Sequence, residues 1–293
     1  MDNPLINLEK LSEPLTKLVD VVATGIGTLY RPFGTVRQAK ADLKAKIISA
    51  KAAAEVLSLE QRAKFRLEHR EALRQENIEK IVLQAAHEMP AKASKDSVDK
   101  DWILQFFDHA QDVCDEEMQI LWAKILSGEV AEPGTYSKRT LQFLKTINKF
   151  EAEKFTGYCS FAFQFVDGWC FTLEEDVTTD LMAEKLGKYA LTNHFVSIGL
   201  LASDSSVGSC TSWDKQKFQY FSQNYEAFSI AETPFKKGLP RLDFPFSFRI
   251  FSQIGQELFA IAGAEPIDGY PEKVSSYLEK DVKLSFKKCT INP

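Results

Sequence analysis

The chain is 293 residues long, with 44% hydrophobic and 26% charged residues, and its formal net charge is −5. This composition excludes a disordered, collagen-like or disulfide-scaffold protein, and the charge excludes a polycation built to coat nucleic acid. Phe is abundant at 22 and His scarce at four, so core-forming bulk is plentiful while the commonest acid–base and metal-binding side chain is not.

The start, Met1-Asp2-Asn3-Pro4, lacks the basic segment and apolar core of a secretory leader. The five cysteines, Cys114, Cys159, Cys170, Cys210 and Cys289, are odd in number, widely spaced and free of any C-x-x-C pair. Buried thiols in a reducing, cytoplasmic setting are the expectation, with no zinc site. The apolar stretch Leu15–Phe33 is interrupted by Lys17, Asp20 and Arg31, and its uncharged run Val21–Tyr30 is half the length of a membrane-spanning helix. It reads as a short packed amphipathic helix, an interfacial membrane helix, or a segment that oligomerises into a membrane lesion.

From Thr35 to Glu88 the chain has no Pro or Gly and is dominated by strong helix formers. Val36, Ala39, Leu43, Ile47, Ala50, Ala54 and Leu57 mix steps of three and four, which makes a narrow coiled-coil-like seam. A single helix over this run would be about 80 Å long, and its seam would need another surface: a helical hairpin, a second copy, or both. Arg62, Lys64, Arg66, Arg70 and Arg74 suggest a strip for nucleic acid or anionic lipid. The interleaved Glu60, Glu68, Glu71 and Glu76 favour a solvated face with i,i+4 pairs instead.

After Met89-Pro90 and a small-residue linker, helices are predicted from Val98, with Ser97 as cap, and after Asp115, closing at Gly128. Between Asp96 and Glu132 acids outnumber bases roughly fivefold. Asp112, Asp115, Glu116 and Glu117 invite a metal reading. Neighbours on a helix diverge, however, and no His joins them at i,i+3, so a solvated face, or one that docks on the basic helix, is preferred. Trp102, Phe106, Glu116, Glu117, Trp122 and Arg139 are the candidate interaction residues.

Ser137 and Asn148 are predicted to cap helices reaching Ile147 and Phe165, followed by an extended run Trp169–Leu173. Helices over Thr178–Leu186 and Leu191–Ile198 lead through Gly199-Leu200-Leu201 into the extended runs Phe218–Phe221, Ala227–Ile230 and Phe244–Ile250. Gln253–Ala262 and Val274–Phe286 read as helical. This is the order of a winged-helix-like unit, which docks on proteins or on DNA. Its candidate nucleic-acid contacts are Lys185, Lys188, Asn193 and His194, a thin set for DNA.

The string QENIEKIVLQAA (75–86) resembles a bacterial domain-of-unknown-function family, number 2806. So do Trp102, Phe106-Phe107, Glu116–Gln119, Leu121–Leu126, Pro133-Gly134, Ser137–Leu141, Glu151-Ala152 and Ile254–Leu258. The resemblance spans most of the chain and brings no catalytic residues with it. It implies a gene of bacterial mobile elements, where antiviral defence is a common role.

Searches for chemistry return little. Gly25-Ile-Gly27 lacks the Gly-Lys-Ser/Thr of a P-loop, and no G-x-S-x-G elbow occurs. A Cys210–His194 dyad and the acid-x-Lys elements Asp42–Lys44 and Asp281–Lys283 carry little weight. The expectation is a mainly α protein with a smaller α+β part and no cofactor or metal. Its predicted parts are an apolar helix and turn (1–34), a long charged helix (35–90), an acidic helical domain (98–166) and a winged-helix-like domain (167–293). The function expected is non-enzymatic interaction in antiviral defence, through self-association or a protein partner on the long helix. A membrane-disrupting effector using 15–33 and a DNA-binding regulator are the alternatives.

Overall fold

The structure, a computed structural model, describes residues 12–27, 58–187, 191–203, 216–229, 247–281 and 283–290. It divides into two compact units, one ending at Thr146 and the other starting at Ile147. This moves the boundary expected at 166 upstream by a helix and a strand.

The first unit is helical. Helix α1 (Glu13–Ile26) ends at Gly27, whose left-handed φ of 68° lets its N–H reach back to Ala23 O. It buries Leu18, Val21 and Val22 and crosses another helix at Gly25, where a Cβ would come within 2.1 Å of the Phe107 ring. The apolar face of α1 is therefore buried inside its own unit, and the rest of the early segment lies outside the described residues. Helix α2 (Leu59–Glu88) starts at Ser58, whose dihedrals are extended (φ −62°, ψ 161°). Ser58 and Gln61 form a reciprocal capping box, with Ser58 N donating to Gln61 Oε1 at 2.9 Å and Gln61 N to Ser58 Oγ at 3.3 Å. The single helix expected over 35–88 is thus broken at Ser58, where local side-chain bonds satisfy a fresh helix start. The seam from Val36 to Leu57 lies outside the described residues.

Helices α3 (Lys100–Ala110), α4 (Glu116–Ala131) and α5 (Lys138–Leu144) complete the unit. Asp99 replaces the expected Ser97 as cap of α3, accepting from Trp102 N at 2.7 Å. Asp115 caps α4 as expected, through Glu117 N and Met118 N. Gly128 does not end α4. It sits inside the helix because a Cβ there would come 2.8 Å from the Tyr136 ring. The turn that follows is pinned by the buried Glu129 carboxylate, which accepts from Gly134 N at 2.8 Å and Tyr136 N at 2.9 Å. Lys17 of α1 donates to Ser94 O at 2.9 Å. Burial lowers its pKa, opposed by Asp96 and Glu129.

The second unit begins with α6 (Lys149–Cys159), capped by Asn148 through a capping box with Glu151. Its expected extension to Phe165 fails because Phe163–Phe165 is strand β1, buried alternately. Strand β2 (Cys170–Leu173), helices α7 (Asp176–Leu186) and α8 (Leu191–Ser197), and strands β3 (Lys217–Tyr220), β4 (Gln223–Ser229) and β5 (Phe248–Ile250) follow. Then come α9 (Gln253–Phe259), α10 (Tyr270–Asp281) and β6 (Leu284–Lys288). The antiparallel sheet runs β5-β2-β1-β3-β4-β6. The expected closing helix Val274–Phe286 is therefore a helix and a strand, separated at Lys283 by a positive φ of 57°. In a winged helix the hairpin stands beside the strand that follows the helix pair. Here Leu201, just after α8, bridges Phe251, whereas the β3–β4 hairpin lies between β1 and β6.

Rings fill this core. Phe165 stacks on Phe171 at 4.2 Å, Phe163 on Tyr270 at 5.5 Å, and Phe218 meets Phe286 edge-on at 4.7 Å. Buried phenols find hydroxyl or carbonyl partners: Tyr158 with Thr172 at 2.7 Å, Tyr270 with Thr178 at 2.9 Å, and Tyr220 donating to Ser160 O at 2.8 Å.

Candidate interaction site

Helix α2 is two structures in one. Asn77, Ile78, Ile81, Val82 and Ala85 are buried, whereas no residue from Leu59 to Glu76 is. Leu59 is 75% exposed, Leu67 51% and Leu73 41%. At about 100° per residue, the exposed run keeps Leu59, Arg62, Ala63, Arg66, Leu67, Arg70 and Arg74 on one side. Leu59, Ala63, Leu67, Arg70 and Arg74 of that side continue the face which the C-terminal half buries, while Arg62 and Arg66 lie beyond its edge. Glu68 lies opposite that side, and Glu71 accepts from Arg70 Nε at 3.3 Å. We call Leu59–Glu76 the arm.

The arm joins the body of the unit at an acidic corner, the loop between α3 and α4. Arg74 Nε donates to Asp112 Oδ1 at 2.7 Å and Nη2 to Oδ2 at 3.0 Å, while Nη1 reaches Glu71 at 3.2 Å. This two-toothed contact to Asp112 raises the Arg74 pKa above its ordinary value. Behind it lies a buried amide network. Asn77 donates to Gln111 O at 3.0 Å, and Gln119 donates to Asn77 Oδ1 at 3.2 Å and Val113 O at 2.8 Å. The network fixes the loop that carries Asp112 and leaves its carboxylates outside. Asp108, Asp112, Asp115, Glu116 and Glu117 are all exposed. A cleft of about 370 Å³ opens beside the corner, its lining including Ile26 of α1, Ile78 of α2, and Leu104, Phe107 and Asp108 of α3.

The predicted interaction residues divide into two sets. Trp102, Phe106 and Trp122 are core: Phe106 stacks on Trp102 at 5.2 Å and meets Trp122 at 5.3 Å, and the Trp102 indole donates to Tyr136 O at 2.7 Å. They hold the unit together and offer no surface. Glu116, Glu117 and Arg139 are exposed, the first two at the acidic corner and Arg139 on α5. Of the predicted nucleic-acid contacts, Lys185 and Asn193 are exposed, but His194 is held by Glu151 at 2.9 Å, and Lys188 lies outside the described residues. Cys210 and the Asp42–Lys44 element also lie outside them. Among the described residues, no group of three or more His, Cys, Asp or Glu could hold a metal ion, and no helix is long and apolar enough to cross a membrane.

The acidic face is expected from sequence either to be solvated or to dock on the basic helix, and Arg74–Asp112 is one such contact; the sequence does not single out the particular pair. An i,i+4,i+8 series of arginines separated from the intervening glutamates by helix angle was the available signal. These features define a two-unit protein: a helical unit whose arginine- and leucine-bearing arm is left exposed by the other described residues, and an α+β unit built on an aromatic sheet core.

The chain belongs to the family described as protein of unknown function DUF2806, whose model matches residues 61–275. The match begins in the first turn of the arm and includes the acidic corner. No curated protein and no solved structure matches the chain.

Proposed function

We propose that the chain is a non-enzymatic interaction protein that acts by assembly, with the arm of α2 as its contact element. The observation that carries this reading is the uncovered run Leu59–Glu76, continuing a face that the same helix buries one turn later. An isolated helical half of this length is marginal in water and gains stability when a surface covers it. The bacterial antiviral setting enters the proposal only as what the sequence resemblance implies. Phage plating on cells with and without the intact chain tests that setting, and equal plating would remove it.

Light scattering tests the assembly. The intact chain is expected to show a mass above one chain, and a Leu59→Ser/Leu67→Ser/Leu73→Ser variant the mass of one. A one-chain mass for both would overturn the reading.

Two competing readings have weaker support. A membrane-disrupting effector would have to draw Leu18, Val21 and Val22 of α1 out of the unit that buries them. We expect no liposome leakage, and leakage abolished by Val22→Asp would favour the effector instead. A winged-helix-like DNA regulator would rely on Lys185 and Asn193. DNA retention at low salt, lost on Lys185→Glu, would favour it.

A further inference from the structure

We infer that the surface covering the arm is the acidic corner of a second copy of this chain. This rests on the assembly reading above and names its partner surface. Charge supplies the first argument. Arg62, Arg66 and Arg70 fall within an arc of about 80° on the arm, with Glu60 and Glu68 about 80° or more outside it; Glu71 accepts from Arg70 Nε at 3.3 Å and Arg74 Nη1 at 3.2 Å. The stretch 108–117 carries five exposed acids, Asp108, Asp112, Asp115, Glu116 and Glu117, and no Lys or Arg.

Shape and apolar content supply the second argument. The arm intersperses Leu59, Ala63 and Leu67 among its arginines. The corner is flanked by exposed Leu104 and Ile120, against which the arm's leucines would lie while its guanidinium groups reach the exposed carboxylates. The 370 Å³ cleft beside it is lined by Glu71, Arg74, Gln75 and Asp108 as well as Ile78, Leu104 and Phe107. The third argument is a contact already made within one chain: Arg74, on the same helix face, grips Asp112 with two hydrogen bonds.

Arm and corner meet at Arg74–Asp112 in each copy, so two copies exchange arms about a twofold axis and close as a dimer. Desolvating opposite charges across such a seam gives specificity and steering, and like charges there are repelled.

Charge reversal on the full chain provides the test, read by sedimentation velocity at low ionic strength. The intact chain is expected to run as a dimer that weakens as salt rises. Arg62→Glu/Arg66→Glu and Asp108→Lys/Glu116→Lys should each weaken association at least about tenfold. An equimolar mixture of the two reversed chains, and one chain carrying all four changes, should regain the dimer; that recovery also shows the reversed chains to be folded. Association that survives corner reversal, or a mixture that stays monomeric, overturns the corner as partner and leaves assembly through the arm standing. A monomeric intact chain overturns both. Nucleic acid retained by a monomeric intact chain and lost on Arg62→Glu/Arg66→Glu makes the arm a polyanion strip and also overturns the inference.

Discussion

The two units bury their elements to different extents, although the second also leaves Phe150, Val166 and Trp169 exposed. The second closes on itself: β2 is buried along its whole length, with Phe171 and Leu173 in the aromatic core and Cys170 and Thr172 met by Gln256 of α9 and Tyr158 of α6. The first closes only part of its longest helix, and the same face of α2 passes from core to solvent at about Arg74. A helix that goes on past its own core, with Leu59, Ala63 and Leu67 on the side that the core would have covered, is what the assembly proposal rests on.

Removing a core ring should produce the largest effect. Phe163 touches five other aromatic rings and is fully buried. Phe163→Ala should destabilise the second unit by about 3–5 kcal/mol. Hydrogen exchange should locate the loss in the strands, and protection lost equally in α2–α4 would contradict the independence of the two units.

Alkaline pH should come next and act on the same unit. Burial pushes the Tyr158 and Tyr220 phenols up to about 12, against about 10 when unfolded. The folded state therefore favours the neutral phenol. That contribution is fully present below pH about 10 and is lost as pH rises towards about 12. Phenolate absorbance should lag that of free tyrosine and then appear together with the loss of sheet signal.

Smaller effects belong to the first unit. Glu129→Ala would leave Gly134 N–H and Tyr136 N–H without their carboxylate, a cost of about 1–3 kcal/mol. Amide exchange should quicken at those two residues while the sheet is unchanged. Ser58→Ala removes the cap of the arm and should cost about 1 kcal/mol, fraying its first turns without touching the residues after Asn77. A global loss of stability from that change would mean that the arm is part of a core.

Much of this was legible in the chain. The caps at Asp115, Ser137 and Asn148 and the strand at Cys170–Leu173 follow from side-chain chemistry local to each element. The misses share a cause. Leu284–Lys288 is a strand because the distant β4 pairs with it, and Phe163–Phe165 is held between the neighbouring β2 and the distant β3. Gly128 looked like a stop because the Tyr136 ring that requires its missing side chain comes from a later turn. The break at Ser58 was readable as a Ser-x-x-Gln capping box, but helix propensity summed across the long run obscured it. At the candidate site the arginines were visible, while their separation from the glutamates and the Arg74–Asp112 contact required the helix to be built.

The most direct test of the central claim is hydrogen exchange of the amides from Leu59 to Glu76 as a function of protein concentration. The account predicts that these amides exchange quickly in dilute solution and slow as concentration rises, while those from Asn77 to Glu88 stay protected throughout. Arm amides that exchange at the same rate at every concentration would contradict it.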